Sequence, residues 1–166
     1  MIDQMEWTHW LKQHGPAMLL LARQRVQSVP DAQDIVQDAF IRFWNARDRV
    51  ADPKAYLFAC VRSCAMDYRR AGSRRGRREE SVARAEAGAP LFVASGLEHE
   101  ERRAAIEAAV ARLPEPQREV LALKIWAKLT FVQIGQTLGI PADTAASRYR
   151  YALTRLREQL AEELIQ

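Results

Sequence analysis

A cluster of arginines near the middle of the chain is the strongest chemical signal in the sequence. Six arginines fall within ten residues that contain no acid: Arg69, Arg70, Arg74, Arg75, Arg77 and Arg78. Guanidinium groups pair with phosphate oxygens through charge-assisted hydrogen bonds, so a cluster of this kind can bind a nucleic-acid backbone. A run of like charges is equally typical of a solvated linker. The cluster alone leaves both interpretations open.

A second set of polar side chains lies on the last predicted helix, opposite its apolar stripe. The stripe consists of Ala145, Tyr149, Leu153, Leu156, Leu160 and Leu164, which recur at helical spacing and must face a core. The opposite side carries hydroxyl and guanidinium groups, with Arg148 on the flank: Thr144, Ser147, Arg148, Arg150 and Tyr151. Arginine on the first turns of such a helix can pair with guanine in the major groove, and hydroxyl groups can bind phosphates. The competing interpretation is a solvated amphipathic helix in a bundle.

A third polar face comprises Asp34, Gln37, Asp38 and Arg42. It lies opposite a wide apolar stripe formed by Ile35, Val36, Ala39, Phe40, Phe43 and Trp44. Asp38 and Arg42 are four residues apart and can support each other on a helix surface. By itself this pattern favours a solvated face over a binding site.

Three helices are predicted in the N-terminal half. The first spans about Met5 to Gln27 and is interrupted or kinked near Gly15-Pro16, because proline has no amide to donate. The second starts after Pro30, with Asp31 as its cap.

The third helix is predicted to begin at Asp52-Pro53 and to run to Arg70, since a cap residue followed by proline is typical of a helix start. Cys60 and Cys64 fall on its apolar stripe, which indicates reduced core thiols rather than a disulfide or a zinc site. Its other side carries Arg62, Ser63, Asp67, Arg69 and Arg70. The arginine cluster therefore continues from a packed helix, which favours a positioned patch over a free tail.

The C-terminal half shows the signals of a helix-turn-helix. Thr130 is placed to cap a short helix, with Gln133 three residues later as in a capping box, and Gly139 can end that helix in a left-handed conformation. A helix from Pro116 precedes this unit, and the last helix starts near Pro141. A further helix is predicted from about Glu100 to Arg112.

The predicted fold is all-α, with two small helical domains joined by a flexible linker, the C-terminal one a helix-turn-helix. The domains cover residues 1–72 and 99–166, and the linker covers residues 73–98, which are rich in Ala, Gly, Arg, Glu and Ser.

Composition excludes several classes of protein. The chain has 166 residues, 48% of them hydrophobic, a net charge of +4 and no apolar signal segment, which predicts a cytoplasmic protein without direct membrane insertion. The sequence contains no paired carboxylates, no nucleophile with a base and no glycine-rich phosphate loop. We therefore expect no enzyme activity, no small-molecule substrate, no cofactor and no metal site.

The chain resembles bacterial sigma factors of the sigma-70 family, specifically the compact extracytoplasmic-function (ECF) group. Region two of that family is similar to PDAQDIVQDAFIRFWNARDRV followed by PKAYLFACVRSCAMDYRR. Region four is similar to LPEPQREVLALKIWAKLTFVQIGQTLGIPADTAASRYRYALTRLRE. The order of the two segments and the linker between them make the resemblance specific, and it extends over nearly the whole chain.

The resemblance implies a transcription initiation factor that binds core RNA polymerase, directs it to promoter DNA and helps to melt the minus-ten element. Polymerase would contact Asp34, Gln37, Asp38 and Arg42. The minus-ten strand would contact Arg62, Ser63, Asp67, Arg69, Arg70 and Arg74. The minus-thirty-five element would contact Thr144, Ser147, Arg148, Arg150 and Tyr151. An anti-sigma factor is a further implied partner.

The chain departs from the family pattern at two positions. Ser63 stands where Asn is common, and Ala146 stands where Lys is common before Ser-Arg. Two alternative functions follow from the same motifs. One is a stand-alone helix-turn-helix regulator, and the other is a sigma-like decoy that binds polymerase without initiating.

Overall fold

The computed structural model describes residues 4–75 and 100–165, and only the backbone of residues 73–75 and 164. Within these ranges every regular element is a helix, which confirms the all-α prediction. The helices are α1 (Gln4–Arg23), α2 (Val29–Ala46), a 3₁₀ turn (Arg47–Arg49), α3 (Pro53–Arg75), α4 (Glu100–Ala111), α5 (Glu115–Ile125), α6 (Phe131–Leu138) and α7 (Ala142–Ile165). Arg77, Arg78 and the other predicted linker residues, 76–98, lie outside the described residues.

Helix α1 passes through Gly15 and Pro16 without the interruption that the sequence suggested, and it ends at Arg23 rather than near Gln27. A proline restricts the residue before it in part through that residue's Cβ, and Gly15 has none. The residues on both sides of Pro16 also pack on the same core, since the Trp10 ring contacts Phe43 in a tilted arrangement and Met18 is fully buried. Packing therefore offsets the lost backbone hydrogen bond.

Helix α2 is capped by Ser28, so the prediction of Asp31 as its cap was wrong. Ser28 has an extended backbone, and its hydroxyl accepts a hydrogen bond from the Asp31 amide at 3.4 Å. Pro30 lies inside the first turn, where an amide has no intrahelical partner and a proline costs nothing. Asp31 is instead in the first turn, where its negative charge interacts favourably with the positive end of the helix dipole.

Helix α3 starts as predicted but continues to Arg75 instead of ending at Arg70. The Asp52 carboxylate accepts a hydrogen bond from the Ala55 amide at 3.0 Å, which caps the first turn. Gly72 lies in open space, so it weakens the helix only through its own backbone entropy of about 1 kcal/mol. Arg74 therefore continues on the same rigid helix as Arg62, although its side chain is not described.

The helix-turn-helix signals are confirmed. The Thr130 hydroxyl accepts from the Gln133 amide, and the Gln133 side chain accepts from the Thr130 amide, which completes the capping box of α6. Gly139 ends α6 with a φ of 68°, in the left-handed region that favours glycine. A Cβ on Gly135 would come within 2.6 Å of the Ile140 carbonyl oxygen, so only glycine allows the turn to pack this closely on α6.

Helices α1 to α3 and α4 to α7 form two units that share one hydrophobic cluster. The N-terminal unit contributes an aromatic group in which Trp7 meets Phe40 edge to face, with ring centroids 4.5 Å apart. Val120 and Leu123 of α5 and Ile134 of α6 belong to the same cluster. In the described structure the two predicted domains are therefore packed against each other through α1, α3, α5 and α6.

Candidate polymerase and nucleic-acid interfaces

The polar face of α2 is presented to solvent as one surface. Asp34, Gln37, Asp38 and Arg42 are all exposed. The opposite side of the helix is anchored by buried aromatic side chains, so these four residues have fixed backbone positions. Arg42 makes a long ion pair of 3.7 Å with Asp67 of α3. Two predicted interfaces, one for polymerase and one for minus-ten DNA, thus adjoin at the Arg42–Asp67 pair.

The predicted minus-ten residues on α3 differ in their surroundings. Ser63, Asp67, Arg69 and Arg70 are exposed, whereas Arg62 is half-buried. Arg69 and Arg70 line a shallow cavity of about 300 Å³ together with Arg25 and Met66. This cavity is wide enough for a phosphate group and is rich in guanidinium groups.

Two glutamates of α5 form ion pairs with arginines of the N-terminal unit. One Glu119 carboxylate oxygen accepts hydrogen bonds from Arg62 at 2.7 Å and from Arg25 at 2.8 Å. Glu115 pairs with Arg25 at 2.8 Å and approaches Arg69 at 3.7 Å. We call this group of five side chains, Arg25, Arg62, Arg69, Glu115 and Glu119, the interdomain ion cluster.

The centre of the interdomain ion cluster is withdrawn from water. The Arg25 and Glu119 side chains are 9% and 8% exposed, whereas those of Glu115 and Arg69 are about half exposed. Sequence reasoning assigned no role to Arg25, Glu115 or Glu119, because the partners are up to 94 residues apart. The one local sign of a buried ion pair in this stretch is a carboxylate at position 119 next to the fully buried Val120.

A second set of contacts joins the start of α3 to the helix-turn-helix. The Thr137 hydroxyl donates to the Ala55 carbonyl at 3.0 Å, and the Gln133 side-chain amide donates to Asp52 at 3.1 Å. The Lys54 ammonium donates to the Lys128 carbonyl at 3.3 Å. Burial lowers the pKa of Lys54, and the nearby Lys128 charge acts in the same direction, whereas Asp52 opposes both.

The predicted recognition face of α7 is open to solvent at its C-terminal end. Arg150 is exposed and donates to the Ser147 hydroxyl at 3.3 Å, and Tyr151 is 65% exposed. Thr144, Ser147 and Arg148 are half-buried. The opposite side of α7 packs inward through fully buried Ala145 and Ala152, as its apolar stripe predicted for Ala145.

The thiols of α3 belong to the core. Cys60 and Cys64 are free and buried, and burial raises the pKa of both thiols. In the described part of the chain, no three His, Cys, Asp or Glu side chains are grouped so that they could hold a metal ion. None of the helices within residues 4–75 and 100–165 combines the length and apolar character needed to cross a bilayer.

Comparison with known families assigns both halves of the chain. Residues 10–75 match the model described as Sigma-70 region 2, and residues 109–158 match the model described as Sigma-70, region 4. The chain belongs to the sigma-70 family. The two matched ranges occur in the same order as the predicted domains and end within the helices α3 and α7.

Relatives of this sigma-70 chain are named as RNA polymerase sigma factors. The chain is 28% identical over 161 residues to the RNA polymerase sigma-E factor of Streptomyces avermitilis, covering 95% of this chain and 87% of the relative. It is 28% identical over 157 residues to the ECF RNA polymerase sigma factor SigL of Mycobacterium tuberculosis, covering 90% and 86%. The sigma-70 chain is thus a member of the ECF group, and it is a promoter-directing initiation factor of RNA polymerase.

Solved structures show the same fold. CnrH in complex with the cytosolic domain of CnrY is 25% identical, with a TM-score of 0.64 over 97% of this chain and 91% of CnrH. The sigma factor RpoE in complex with the anti-sigma factor NepR from Bartonella quintana is 22% identical, with a TM-score of 0.60 over 94% and 97%. The two-domain helical architecture is therefore shared with known sigma factors.

Proposed function

We propose that this sigma factor docks on core RNA polymerase through the α2 face and contacts promoter DNA through α3 and α7. Residues 1–72 would serve as region two, residues 73–98 as the connecting linker and residues 99–166 as region four. The protein acts in the cytoplasm and contributes no catalytic step of its own, because its task is to bind and position polymerase and DNA.

The exposed polar face of α2 is the observation that carries this proposal. Asp34 and Asp38 project from a helix whose other side is held by an aromatic core, so the face is rigid and solvated. A stand-alone regulator that binds operator DNA has no use for acidic side chains on a helix remote from its helix-turn-helix. A polymerase surface of positive charge would use them, and complementary charge both steers association and fixes its geometry.

Helix α3 supplies the chemistry for holding a melted strand. Bases inside a duplex cannot be read on their pairing edges, so recognition of a melted element needs extruded bases and a basic track for the backbone. Arg62, Arg69 and Arg70 lie on one rigid helix that continues through Arg74. Ser63, exposed between them, offers a hydroxyl in place of the amide that is common in the family.

Helix α7 supplies the contact to the upstream duplex. Residues 99–166 carry 10 Lys and Arg against 9 Asp and Glu, a net charge of +1. Because phosphate neutralisation supplies most of the affinity for DNA, so small an excess predicts weak binding by region four alone. Tethering to polymerase and to a second DNA contact then raises the effective concentration of α7 at the upstream element.

The direct test is run-off transcription from genomic fragments with the purified chain and core polymerase. We expect transcripts from a small set of promoters and a stable complex with core polymerase. Failure to bind core polymerase would refute the proposal, and binding without any transcript would favour a decoy.

Charge reversal tests the α2 face separately. Asp34→Lys with Asp38→Lys should weaken binding to core polymerase by at least about tenfold, because like charges placed in a complementary interface cost several kcal/mol. The control is Asp48→Lys with Glu162→Lys, which adds the same charge at exposed positions on other surfaces. Equal loss of polymerase binding in both variants would contradict the assignment of the α2 face.

A further inference from the structure

We propose that core RNA polymerase anchors an apolar side chain in the groove between α1 and α2, next to the acidic face that contains Asp34 and Asp38. The inference rests on the proposed role of that face in docking, and it adds an apolar part to the same interface. It also gives α1 a part in polymerase binding, although none of the residues assigned to polymerase from the sequence lies on that helix. We call this site the α1–α2 groove.

The α1–α2 groove has a volume of about 400 Å³ and is lined mainly by apolar side chains of both helices. Trp7 meets Phe40 with ring centroids 4.5 Å apart and Trp44 at 4.9 Å, so these rings hold one another in place. Leu11 is 39% exposed. The residues that line the groove, none of them charged, are Trp7, Leu11, Gly15, Leu19, Gln33, Val36, Gln37 and Phe40. The free chain therefore leaves a preformed apolar surface open to water.

The groove continues directly into the proposed polymerase face. Gln37 belongs to both, because it lines the groove and is exposed on α2 together with Asp34 and Asp38. Ile41 lies one turn after Gln37 on the same helix and is 45% exposed. Apolar surface therefore extends from the groove past Gln37 to the acidic side chains. A protein surface that contacts Asp34 and Asp38 is also in a position to contact the edge of the groove.

Tight docking requires more than the acidic face. Complementary charges mainly raise the rate of association, whereas a few well-packed, desolvated anchors carry most of the binding energy of a protein interface. Asp34 and Asp38 are both exposed, so the ion pairs that they form with a partner are screened by solvent and salt. The groove supplies the apolar anchor site that this face lacks, and an occupant would remove Leu11 and Val36 from water.

The polar groups of the groove indicate a protein occupant rather than a small molecule. Small-molecule sites place several convergent polar groups inside the pocket to fix the orientation of the ligand. The described residues that line this groove offer two side-chain amides, those of Gln33 and Gln37, and both are exposed on α2. Amides at the rim can bind polar groups of a protein surface while an apolar side chain fills the groove. The occupant is therefore an apolar side chain of polymerase, with basic groups beside it for Asp34 and Asp38.

The first test measures the kinetics of binding to immobilised core polymerase by surface plasmon resonance. Leu11→Gln replaces an apolar side chain by a polar one without changing the net charge. We expect dissociation to become about three- to tenfold faster, with the association rate and its salt dependence unchanged, because apolar burial acts mainly on dissociation and charge acts mainly on association. The matched control is Met5→Gln, which changes an 82% exposed side chain of the same helix outside the groove.

Two further measurements separate an anchor site from a merely structural side chain. Leu11→Met keeps an apolar side chain of similar volume, so its dissociation rate should stay within about twofold of wild type. Circular dichroism at 222 nm checks that each variant keeps its helices.

Photocrosslinking identifies the occupant. With p-benzoylphenylalanine in place of Leu11, we expect a crosslink to a polymerase subunit in the assembled holoenzyme, and excess wild-type chain should suppress it. Crosslinks confined to this chain would overturn the proposal, because the groove would then be covered by the chain's own residues. A transcriptionally active holoenzyme that forms no crosslink to polymerase would overturn it as well.

The outcomes separate the groove from the proposed function. If Asp34→Lys with Asp38→Lys weakens polymerase binding while Leu11→Gln dissociates at the wild-type rate, the α2 face stands and the groove is not an anchor site. Equal acceleration of dissociation in Leu11→Gln and Met5→Gln would also overturn the groove proposal. If neither the charge reversal nor Leu11→Gln alters polymerase binding, the proposed docking through the α2 face fails together with the groove.

Discussion

The two helices proposed to bind DNA carry similar side chains in different surroundings. On α3, Arg62 and Arg69 face the protein's own glutamates, whereas on α7 Arg150 and Tyr151 face solvent. Among the described residues, no acidic side chain forms an ion pair with Arg148 or Arg150. Residue type therefore indicates which groups can bind DNA, and tertiary packing decides which of them are available in the free chain.

This difference predicts an order of contacts. In the free chain Arg150 and Tyr151 on the proposed recognition face of α7 are exposed, whereas Arg62 and Arg69 on the proposed strand-binding face of α3 pair with Glu119 and Glu115. Duplex DNA is also what the protein meets first, because the melted strand exists only after polymerase has bound. We therefore expect DNA to engage the α7 face before the α3 face.

The largest expected effect concerns the shared core that brings α5 against α3. Leu123→Ala removes a fully buried side chain from the cluster common to both units and should lower the free energy of unfolding by about 2–5 kcal/mol. Because the core is shared, denaturant should unfold the chain in one transition that shifts as a whole. The exposed Val132→Ala is the control, with an expected change within about 0.5 kcal/mol. Two transitions, only one of them shifted by Leu123→Ala, would show that the units fold independently.

A smaller effect should distinguish α7, whose arginine face is exposed, from α3, whose arginines pair with glutamates. Arg148→Ala should cost about 1–3 kcal/mol in affinity for a duplex bearing the upstream element, if Arg148 pairs with a base. This loss should occur in the free chain and in the polymerase complex alike, because the α7 face is not covered by region two.

Arg62→Ala is the counterpart on α3 and should behave differently. Its effect on strand binding should be pronounced in the polymerase complex and much weaker in the free chain, where Glu119 already engages the side chain. Fluorescence anisotropy with labelled duplex and single-stranded oligonucleotides measures both variants. An equal loss for Arg62→Ala in the free chain and in the complex would remove the distinction between the two helices.

The smallest expected effect is a pH dependence of stability that arises from His14. Burial lowers the pKa of His14 below its ordinary 6.5, and the charges of Lys54 and His9 add to this shift. As the pH falls, His14 therefore takes up a proton in the unfolded chain before it does so in the folded chain. Stability is lost as the pH falls below about 6.5, and this loss stops growing once the pH is below the folded pKa of His14.

Urea midpoints at about pH 7.5 and about pH 5.5 measure this contribution. We expect a smaller difference between the two midpoints for His14→Phe than for wild type, since the ring contacts Trp10 and Phe58 in an aromatic site. The exposed His9→Gln is the control and should keep most of the wild-type difference. An unchanged difference in His14→Phe would assign the pH dependence to other groups.

Local signals in the sequence predicted the helix-turn-helix well. The capping box of Thr130 and Gln133 and the left-handed Gly139 depend on residues within one turn of each other, so a single stretch of sequence specifies them. The cap of α3 at Asp52 was predicted for the same reason. By contrast, Ser28 was missed as the cap of α2 because Pro30 was read as preceding the helix, although proline is equally compatible with the first turn.

The features that could not be predicted depend on contacts distant in sequence. Continuity of α1 through Pro16 depends on packing against Phe43, and the interdomain ion cluster joins residues up to 94 positions apart. A glutamate at position 119 is compatible with an exposed helix surface until the fold places two arginines beside it. The roles of the α2, α3 and α7 side chains in binding polymerase and DNA stay predictions that the experiments above address.

One amide side chain links the caps of two helices that lie in different units. Gln133 uses its oxygen to close the capping box of α6 and its nitrogen to bind Asp52, which in turn caps α3. Glutamate could close the same box, but it would bring a second carboxylate against Asp52. One glutamine side chain therefore joins the first turn of the helix-turn-helix to the first turn of α3 without placing a second carboxylate beside Asp52.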